Sequence, residues 1–308
     1  MASPSVSASA ACGKGGGEMI KSKTTRRGDR IIAVVCVLLI FICLVPLLNV
    51  LARSLSSPDA LIRNEVILWP KGWNFDAYAT VLQDTKYTWS LEWTAILTVI
   101  CTLVSMSMTI MCAYPLTYDK LKGRKFINTA IIITMLFNAG LIPSYLLLKN
   151  LKMLDTASVL ILPNCLSVFN MIIMRSFFYG IPESLRESAE IDGAGPVYVL
   201  VHIYLPLSTS VLATLSLFYA VGRWNGFSDA LMFMSNRREY YPIQLLLYNI
   251  LQNTTNIEIS TQEGFFPTGV AETLKMATVM FATVPILLVY PWLQRYFITG
   301  VTIGAIKG

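Results

Sequence analysis

The feature of this sequence that most constrains its fold is a run of uncharged, largely apolar residues from position 31 to position 51. The hydrocarbon core of a bilayer is about 30 Å thick, and a helix needs about 20 residues to cross it. The run has that length and follows a strongly basic segment. It is too long for the apolar part of a signal peptide, and it lacks a good cleavage site. We therefore expect it to remain in the protein as a membrane span.

Five more apolar runs follow, so the sequence predicts an all-α polytopic membrane protein with six transmembrane helices. The composition fits this class, because 55% of the residues are hydrophobic and 14% are charged, against about 25% charged in a soluble domain. Residues 1–24 are rich in Ala, Ser and Gly, which predicts a disordered tail, and residues 25–308 form the transmembrane domain. The five later spans are predicted at residues 93–113, 126–148, 159–174, 205–221 and 276–293.

Basic residues at the ends of the spans predict the orientation of the chain. The formal net charge is +6, and residues 119–125 contain four of the cations. Lys and Arg in short loops favour the cytoplasmic side, which places this loop and both termini in the cytoplasm. The loop 175–206 and the tail 296–308 then also lie inside, while residues 52–92 and 222–275 lie outside. No basic patch lies on a folded polar domain, so the charge indicates contact with lipid and not with nucleic acid.

The sequence contains no pattern typical of an enzyme, a metal site or a nucleotide-binding site. It lacks the GxxxxGK[ST] loop that cradles phosphates and it lacks an HExxH pattern. Its only histidine, His202, cannot form a catalytic triad or a metal site alone, and we expect it to be structural. The six cysteines form no CxxC pair, which favours packed, reduced thiols. We therefore predict no catalytic residue, no metal ligand and no cofactor bound by this chain.

The most informative stretch covers residues 181–206, which are cytoplasmic in this topology. Pro182 suits the first turn of a helix, Gly193 suits its end, and Pro196 suits the start of a second helix. Pro206 marks the entry to the fifth span. A polar helix, a break and a second helix between two spans suit a docking element for a soluble partner. The alternative is a plain connector, although most connections take only about 4–6 residues.

This stretch resembles the EAA signature of the permease subunits of binding-protein-dependent ABC importers. The matching residues are Glu187-Ser188-Ala189, Asp192-Gly193 and Ile203-x-Leu205-Pro206. Ser188 is the one departure, because the family usually has Ala there. The resemblance extends over residues 25–308 and indicates the sugar-transporting branch. Segments 68–73, 138–145, 168–177 and 300–308 are similar to permeases for oligosaccharide and polysaccharide uptake, relatives of the second permease subunit of the maltose importer.

The resemblance implies a type I ABC importer permease in the bacterial cytoplasmic membrane. A second homologous permease subunit would complete the translocation path, two ATPase subunits would bind ATP and Mg, and an extracytoplasmic binding protein would deliver an oligosaccharide. The EAA loop would be the coupling helix that docks into an ATPase subunit. The residues carried over to the ATPase contact are Glu187, Ser188, Ala189, Asp192, Gly193, Ile203, Leu205 and Pro206, and, in the tail, Gly304, Lys307 and Gly308.

Polar and aromatic side chains near the spans are candidates for the path itself. Four asparagines would be costly in lipid, so they are expected to line a water-filled path or to form hydrogen bonds between helices. They are Asn138, Asn164, Asn170 and Asn225. External aromatic residues could stack on sugars, although membrane-interface anchoring is the preferred interpretation for each. They are Trp69, Trp73, Tyr78, Trp224, Tyr240 and Tyr241.

Two other classes compete with the importer hypothesis. A self-sufficient secondary transporter or channel would need ion-coupling residues within the membrane and an internal repeat, and neither is visible in the sequence. An intramembrane enzyme would need a nucleophile with its base, or a metal cluster, and the sequence offers neither. The permease subunit is therefore the preferred hypothesis, with the secondary transporter as the alternative.

Overall fold

The computed structural model describes the backbone of residues 23–119, 121–137, 139–260 and 268–305. Side chains are described at residues 30–119, 121–137, 139–252, 269–289 and 291. These parts of the chain contain helices and turns and no strand. The tail expected over residues 1–24 lies almost wholly outside them. The chain divides into two compact units, residues 1–48 and residues 49–308.

The helices are numbered in chain order. They are α1 Lys23–Ser54, α2 Pro58–Ile62, α3 Asp76–Gln83, α4 Thr85–Ala113, α5 Arg124–Leu136, α6 Leu141–Asn150, α7 Ala157–Ile161, α8 Val168–Tyr179, α9 Glu183–Ile191, α10 Pro196–Val199, α11 Leu205–Leu207, α12 Thr209–Asn225, α13 Ser228–Phe233, α14 Ile243–Ser260 and α15 Thr268–Ala305. Short turns of 3₁₀ helix occur at Pro115–Thr117 and Arg238–Tyr240, and a π-helical turn occurs at Leu200–Tyr204.

Three of the six predicted spans are continuous helices. The apolar stretches Arg30–Ser54 in α1, Thr85–Thr117 and Gly269–Val289 in α15 are each long enough to cross a membrane. In the first unit, every described side chain of α1 up to residue 48 is exposed, as expected for a helix that faces lipid. Prolines inside α1 and α15 do not end these helices, which is common in membrane spans.

Small side chains allow α4 to pack closely in the second unit. Its buried positions recur every three or four residues, which forms one face of a helix. They are Ser90, Thr94, Leu97, Cys101, Ser105, Met106, Thr109 and Ala113. Small residues let helix backbones approach where lipid supplies no hydrophobic drive for association. This face packs against α8 and α12, and α12 packs in turn against α15.

The other three predicted spans are interrupted. Residues 137–140 separate α5 from α6 within the third span, where Gly140 has a φ of +88°. The fourth span, residues 159–174, is not one helix, which corrects the prediction. Its first part, α7, ends before Pro163, and the Ser167 side chain caps a new helix, α8, because proline cannot continue the helical hydrogen-bond ladder. The fifth span bends by 84° between the helical stretches Pro196–Leu207 and Thr209–Asn225.

The long segment 222–275, expected to be an external loop, is largely helical and packed where it is described. It contains α13, a 3₁₀ turn and α14. Trp93 Nε1 donates to the Tyr240 carbonyl at 2.9 Å, and the Ile243 backbone N–H donates to Thr94 Oγ1 at 2.8 Å. These bonds tie the start of α14 to α4.

A nearly buried ion pair joins α12 to α13, and its arginine also contacts the broken fourth span. The Arg223 and Asp229 side chains are only 9% and 11% exposed. Arg223 Nη1 also donates to the Leu160 carbonyl at 3.2 Å, and the Cys101 thiol lies 3.6 Å from the same oxygen. The last carbonyls of a helix lack partners within it, so these donors satisfy a group that the end of α7 leaves free.

Removing one member of this pair is expected to be costly. Arg223→Met or Asp229→Asn leaves an uncompensated charge or an unsatisfied carbonyl in a nearly buried place, which typically costs about 3–5 kcal/mol. The matched control is Arg237→Met, because the Arg237–Glu239 pair is exposed and 3.7 Å long, and such pairs contribute about 0–1 kcal/mol. Unfolding of the purified chain by SDS titration measures both. Equal effects of R223M and R237M would contradict this role.

Gly269 lies where α15 meets α2 at backbone distance. A Cβ atom there would lie 2.4 Å from the Pro58 carbonyl oxygen and 2.8 Å from Ile62 Cγ1. Gly269→Ala is therefore expected to lower the thermal stability of the detergent-solubilised chain, since overpacking typically costs about 1–3 kcal/mol. The control is Gly222→Ala, whose Cβ meets nothing within 4 Å. In a helix interior that change is neutral or stabilising. A G269A midpoint equal to that of G222A would refute the close approach.

Candidate functional site

The predicted cytoplasmic helix–break–helix is present, and α9 is its first helix. Pro182 precedes α9 and Glu183 lies in its first turn, where a carboxylate is favourable at the positive end of the helix dipole. Gly193 follows the end of α9 with a φ of +84°. Its N–H donates to the Glu190 carbonyl at 3.1 Å, and the Ala194 N–H donates to the Ala189 carbonyl at 2.9 Å. These two bonds form a Schellman motif, which requires the left-handed backbone that glycine adopts freely.

One face of α9 is turned inward and the other is free. Ala189 is half-buried against the core, and the Arg186 side chain is only 12% exposed. Glu187 and Ser188 are exposed, and Ile191 at the end of the helix is 86% exposed. The side chains on this outer face are therefore accessible to another molecule.

Ala189 on the inward face packs against a core cluster that contains four aromatic rings, and we call these rings the aromatic seat: Tyr114, Tyr118, Phe178 and Tyr204. The Tyr114 ring is central, with its centroid 5.3 Å from Tyr118, 5.1 Å from Tyr204 and 6.3 Å from Phe178. The rings meet at 74–90°, which is the favourable edge-to-face arrangement. The seat joins residues from the end of α4, from α8 and from the π-helical turn.

Hydrogen bonds connect the aromatic seat to both helices of the loop. The Tyr114 hydroxyl donates to the Pro196 carbonyl in α10 at 2.9 Å. That bond uses its only proton, so the Tyr118 hydroxyl is the donor in the 2.5 Å contact between the two tyrosines. The Arg186 guanidinium of α9 lies 4.7 Å above the Tyr118 ring, a cation–π geometry.

Carboxylates on α9 hold the Arg186 side chain over the seat. Glu183 and Glu190, one turn to either side, both pair with Arg186, and the Nε–Oε1 distance to Glu190 is 3.4 Å. Burial lowers the pKa of the Arg186 guanidinium, but the two carboxylates outweigh burial, so its pKa lies above the ordinary value. Arg186 therefore stays charged at every physiological pH.

The second half of the loop continues into the fifth span. In the π-helical turn Leu200–Tyr204, the Leu205 N–H donates to the Leu200 carbonyl. Pro206 follows and has no N–H to continue the normal pattern. The chain then turns by 84° into α12. The arrangement therefore links α9 mechanically to α4 and α8 through the seat, and to α12 through the chain itself.

The predicted coupling residues take different positions in this loop. Glu187, Ser188 and Asp192 are exposed, with Asp192 at the C-cap of α9. Further along, Ile203 and Leu205 are half-buried against the core, and Pro206 is exposed. In the tail, Gly304 lies in α15, whereas Lys307 and Gly308 fall outside the described part of the chain.

The predicted path asparagines lie in different parts of the chain. Asn170 on α8 is buried, and Asn164 is exposed in the break before α8. Asn225 ends α12, is exposed, and donates from Nδ2 to the Val221 carbonyl at 3.0 Å. Asn138 lies outside the described residues. The path assignment for all four stays a prediction.

The aromatic seat is the part of the site that the sequence analysis missed. Its residues lie in three separate segments, and the Tyr114 and Tyr204 rings meet across 90 positions of sequence. Two signals were available: tyrosines directly after the second span, and an arginine on the EAA helix with glutamates at i−3 and i+4. Neither specifies which partners these side chains would find.

A helical chain with several apolar spans, and with a supported helix presented between two of them, has the architecture of a membrane transport component. Residues 93–303 match the family described as binding-protein-dependent transport system inner membrane component, and the chain belongs to that family. It is a multi-pass protein of the bacterial cytoplasmic membrane.

Individual relatives support the same family assignment. The polygalacturonan/rhamnogalacturonan transport system permease protein YtcP of Bacillus subtilis is 38% identical over 87% of this chain and 93% of its own length. Protein LplC of the same organism is 38% identical over 87% of this chain and 90% of its own length. A crystal structure of a bacterial ABC transporter involved in the import of the acidic polysaccharide alginate superposes with a TM-score of 0.81 at 29% identity, covering 90% of this chain and 99% of that one. The predicted membership in the sugar-transporting ABC importer permeases is confirmed.

The Gly193 backbone provides a test of how α9 ends. Gly193→Ala must place an L-residue at a φ of +84°, which costs about 1–2 kcal/mol. We expect the end of α9 to fray and limited proteolysis of the loop in inverted vesicles to accelerate. Gly195→Ala is the matched control, because neither added Cβ meets an atom within 4 Å and Gly195 has a φ of −73°. Equal proteolysis of the two variants would show that the Schellman motif does not hold the loop.

Proposed function

We propose that this chain is the transmembrane subunit of an ATP-driven importer of oligosaccharides or polysaccharide fragments, and that α9 is its coupling helix. The observation that carries the proposal is the contrast between the two faces of α9. The inner face rests on the aromatic seat, and the outer face, with Glu187, Ser188 and Ile191, is free for a partner.

The mechanism follows from the stiffness of that support. A nine-residue helix is too short to be stable alone, so α9 moves together with the rings against which it packs. A partner that pushes α9 would displace the ends of α4 and α8 through the aromatic seat and would rotate α12 through the 84° bend. Alternation between outward and inward openings then needs only rigid-body rocking of packed helices.

The partners are proposed from the family and from the chemistry of the chain. A second homologous permease subunit completes the path, two ATPase subunits dock on the coupling loops, and an extracytoplasmic binding protein delivers the sugar. ATP and Mg bind to the ATPase subunits, and this chain is not catalytic. The tail near Gly304, Lys307 and Gly308 contributes to the ATPase contact. The architecture is of type I, with both termini cytoplasmic.

The substrate class is proposed from the named relatives. One is similar over most of the chain and is named for polygalacturonan and rhamnogalacturonan, and the superposed structure is of a transporter for alginate. Oligosaccharides released from acidic polysaccharides are therefore the first substrates to test. Within this chain, Asn138, Asn164, Asn170 and Asn225 are proposed to line the path.

The coupling role is tested by charge reversal on the free face of α9. Glu187→Arg leaves the inward residues untouched, so we expect the chain to insert normally but to lose most of the ATPase that co-purifies with the wild-type complex. The control is Glu65→Arg, because Glu65 is also exposed, pairs only with the exposed Lys71 among the ion pairs of the described residues and lies outside the EAA loop. This variant is expected to retain the ATPase.

Two results would count against the proposal. Retention of the ATPase by E187R and by a Ser188→Trp variant would remove the docking role of α9. Sugar uptake by the wild-type chain in vesicles without any ATPase, driven by an ion gradient, would favour the secondary transporter instead.

A further inference from the structure

Five exposed apolar side chains lie close together in the loop between α2 and α3. We call them the tryptophan patch: Ile67, Leu68, Trp69, Trp73 and Phe75. They are 71%, 46%, 77%, 61% and 60% exposed, respectively. The Trp73 and Phe75 rings are stacked with their centroids 6.4 Å apart. Such a concentration of exposed apolar surface marks an interaction site.

The patch lies on a loop that the rest of the second unit holds in place. Val66 is buried in a small cluster with Ala52, Ala60 and Leu61. The Ser57 N–H donates to the Lys71 carbonyl at 3.1 Å. Farther on, the Asn74 N–H donates to the Leu55 carbonyl at 3.0 Å. The exposure of the patch is therefore a property of a fixed surface and not of an unpacked segment.

Gly72 shows how closely the inner side of this loop is packed. Its φ is +64°, and a Cβ atom there would lie 2.8 Å from Ser57 Oγ. The backbone between the two tryptophans thus lies directly against the turn after α1. No room remains on that side for the Trp69 and Trp73 rings, which are directed outward.

The indole N–H groups divide the described tryptophans into two groups. Trp89, Trp93 and Trp224 each donate to a backbone carbonyl of this chain, at 2.9, 2.9 and 3.3 Å. Within the described ranges, Trp69 and Trp73 donate to no acceptor of the chain and are the most exposed of the five. A partner of these rings must offer both an apolar surface and a hydrogen-bond acceptor.

A hydrogen bond from α1 shows where the tryptophan patch lies relative to the end of the apolar run in α1. Asn49 is the first polar side chain after the apolar run 31–48, and its Nδ2 donates to the Ile67 carbonyl at 2.5 Å. Ile67 is thus level with the point of α1 where the apolar run ends. In a membrane span that point is the boundary between hydrocarbon and headgroups, where tryptophan rings are enriched.

We propose that the tryptophan patch is a lipid-binding surface that lies in the headgroup interface of the leaflet at the C-terminal end of α1. Ile67 and Leu68 contact the acyl chains, and the Trp69 and Trp73 indoles donate to lipid carbonyl or phosphate oxygens. The surface fixes the height of α1 and of the loop relative to the bilayer. This inference does not depend on the ATPase partner or the sugar.

The test uses the fluorescence that Trp69 and Trp73 contribute. The full chain, assembled with the other subunits of its transporter, is placed in nanodiscs with and without lipid brominated near the headgroup end of the acyl chain. The difference in emission between the wild-type chain and the Trp69→Phe, Trp73→Phe double variant measures the fluorescence of these two rings. We expect brominated lipid to quench this emission about twofold or more, and iodide in the water phase to quench it weakly. Lipid brominated near the chain end should quench it less.

Trp93→Phe provides the control, because the Trp93 ring is half-buried and already bonded to Tyr240, so its emission should respond to neither quencher. The inference is overturned if the Trp69 and Trp73 emission is quenched by iodide and not by brominated lipid. It is also overturned if only the solute-binding protein shields these rings from iodide, since the patch would then be a protein-docking surface.

Discussion

The contact between α9 and the aromatic seat is the interaction on which the helix–break–helix of residues 181–206 depends. A helix of nine residues gains too little from its own hydrogen bonds to persist in water. The Arg186 side chain supplies the missing stabilisation, because its guanidinium lies over the Tyr118 ring. Glu183 and Glu190 keep the guanidinium charged and oriented. Because Tyr114 also binds the Pro196 carbonyl, the two helices of the loop share one support. The same cluster contains Tyr114, which follows α4, and Phe178 of α8, so the loop is held against the ends of both helices.

Broken spans are the second constraint, because a bilayer tolerates free backbone groups only where protein or water satisfies them. The end of α7 shows the solution. Its Leu160 carbonyl accepts from Arg223 and lies against the Cys101 thiol, and Asp229 balances the charge that Arg223 brings in. The carbonyl left free at the break after α7 is thus satisfied by an arginine of α12 whose charge is paired with a carboxylate of α13. Such breaks give a transport protein irregular backbone inside a helical frame, and they tie the packing of the fourth span to the turn after the fifth.

Much of the fold, and the position of the loop at residues 181–206, could be predicted from local sequence patterns. The long apolar runs specified α1, α4 and α15, because length and hydropathy alone decide whether a helix can span a bilayer. Gly193 and Pro196 specified where α9 ends and α10 begins, since each acts through its own backbone. Pro163 also indicates a break within residues 159–174. We predicted a single span there because these residues are largely apolar. Sequence patterns could not reveal that residues 222–275 fold back onto α4, because the bonds of Trp93 and Thr94 to that segment link residues about 150 positions apart.

The sequence by itself determined the class of protein, the positions of the principal spans and the place of the helix–break–helix at residues 181–206, because these follow from length, hydropathy and backbone-specific residues. The tertiary structure decided which side chains meet. It brought Tyr114, Phe178 and Tyr204 into one cluster, and it buried Arg223 beside Asp229. It also directed Trp69 and Trp73 outward at the level where the apolar run of α1 ends. The physical reason is that a side chain's own chemistry sets what kind of partner it needs, whereas the packing of distant helices sets which partner is within reach.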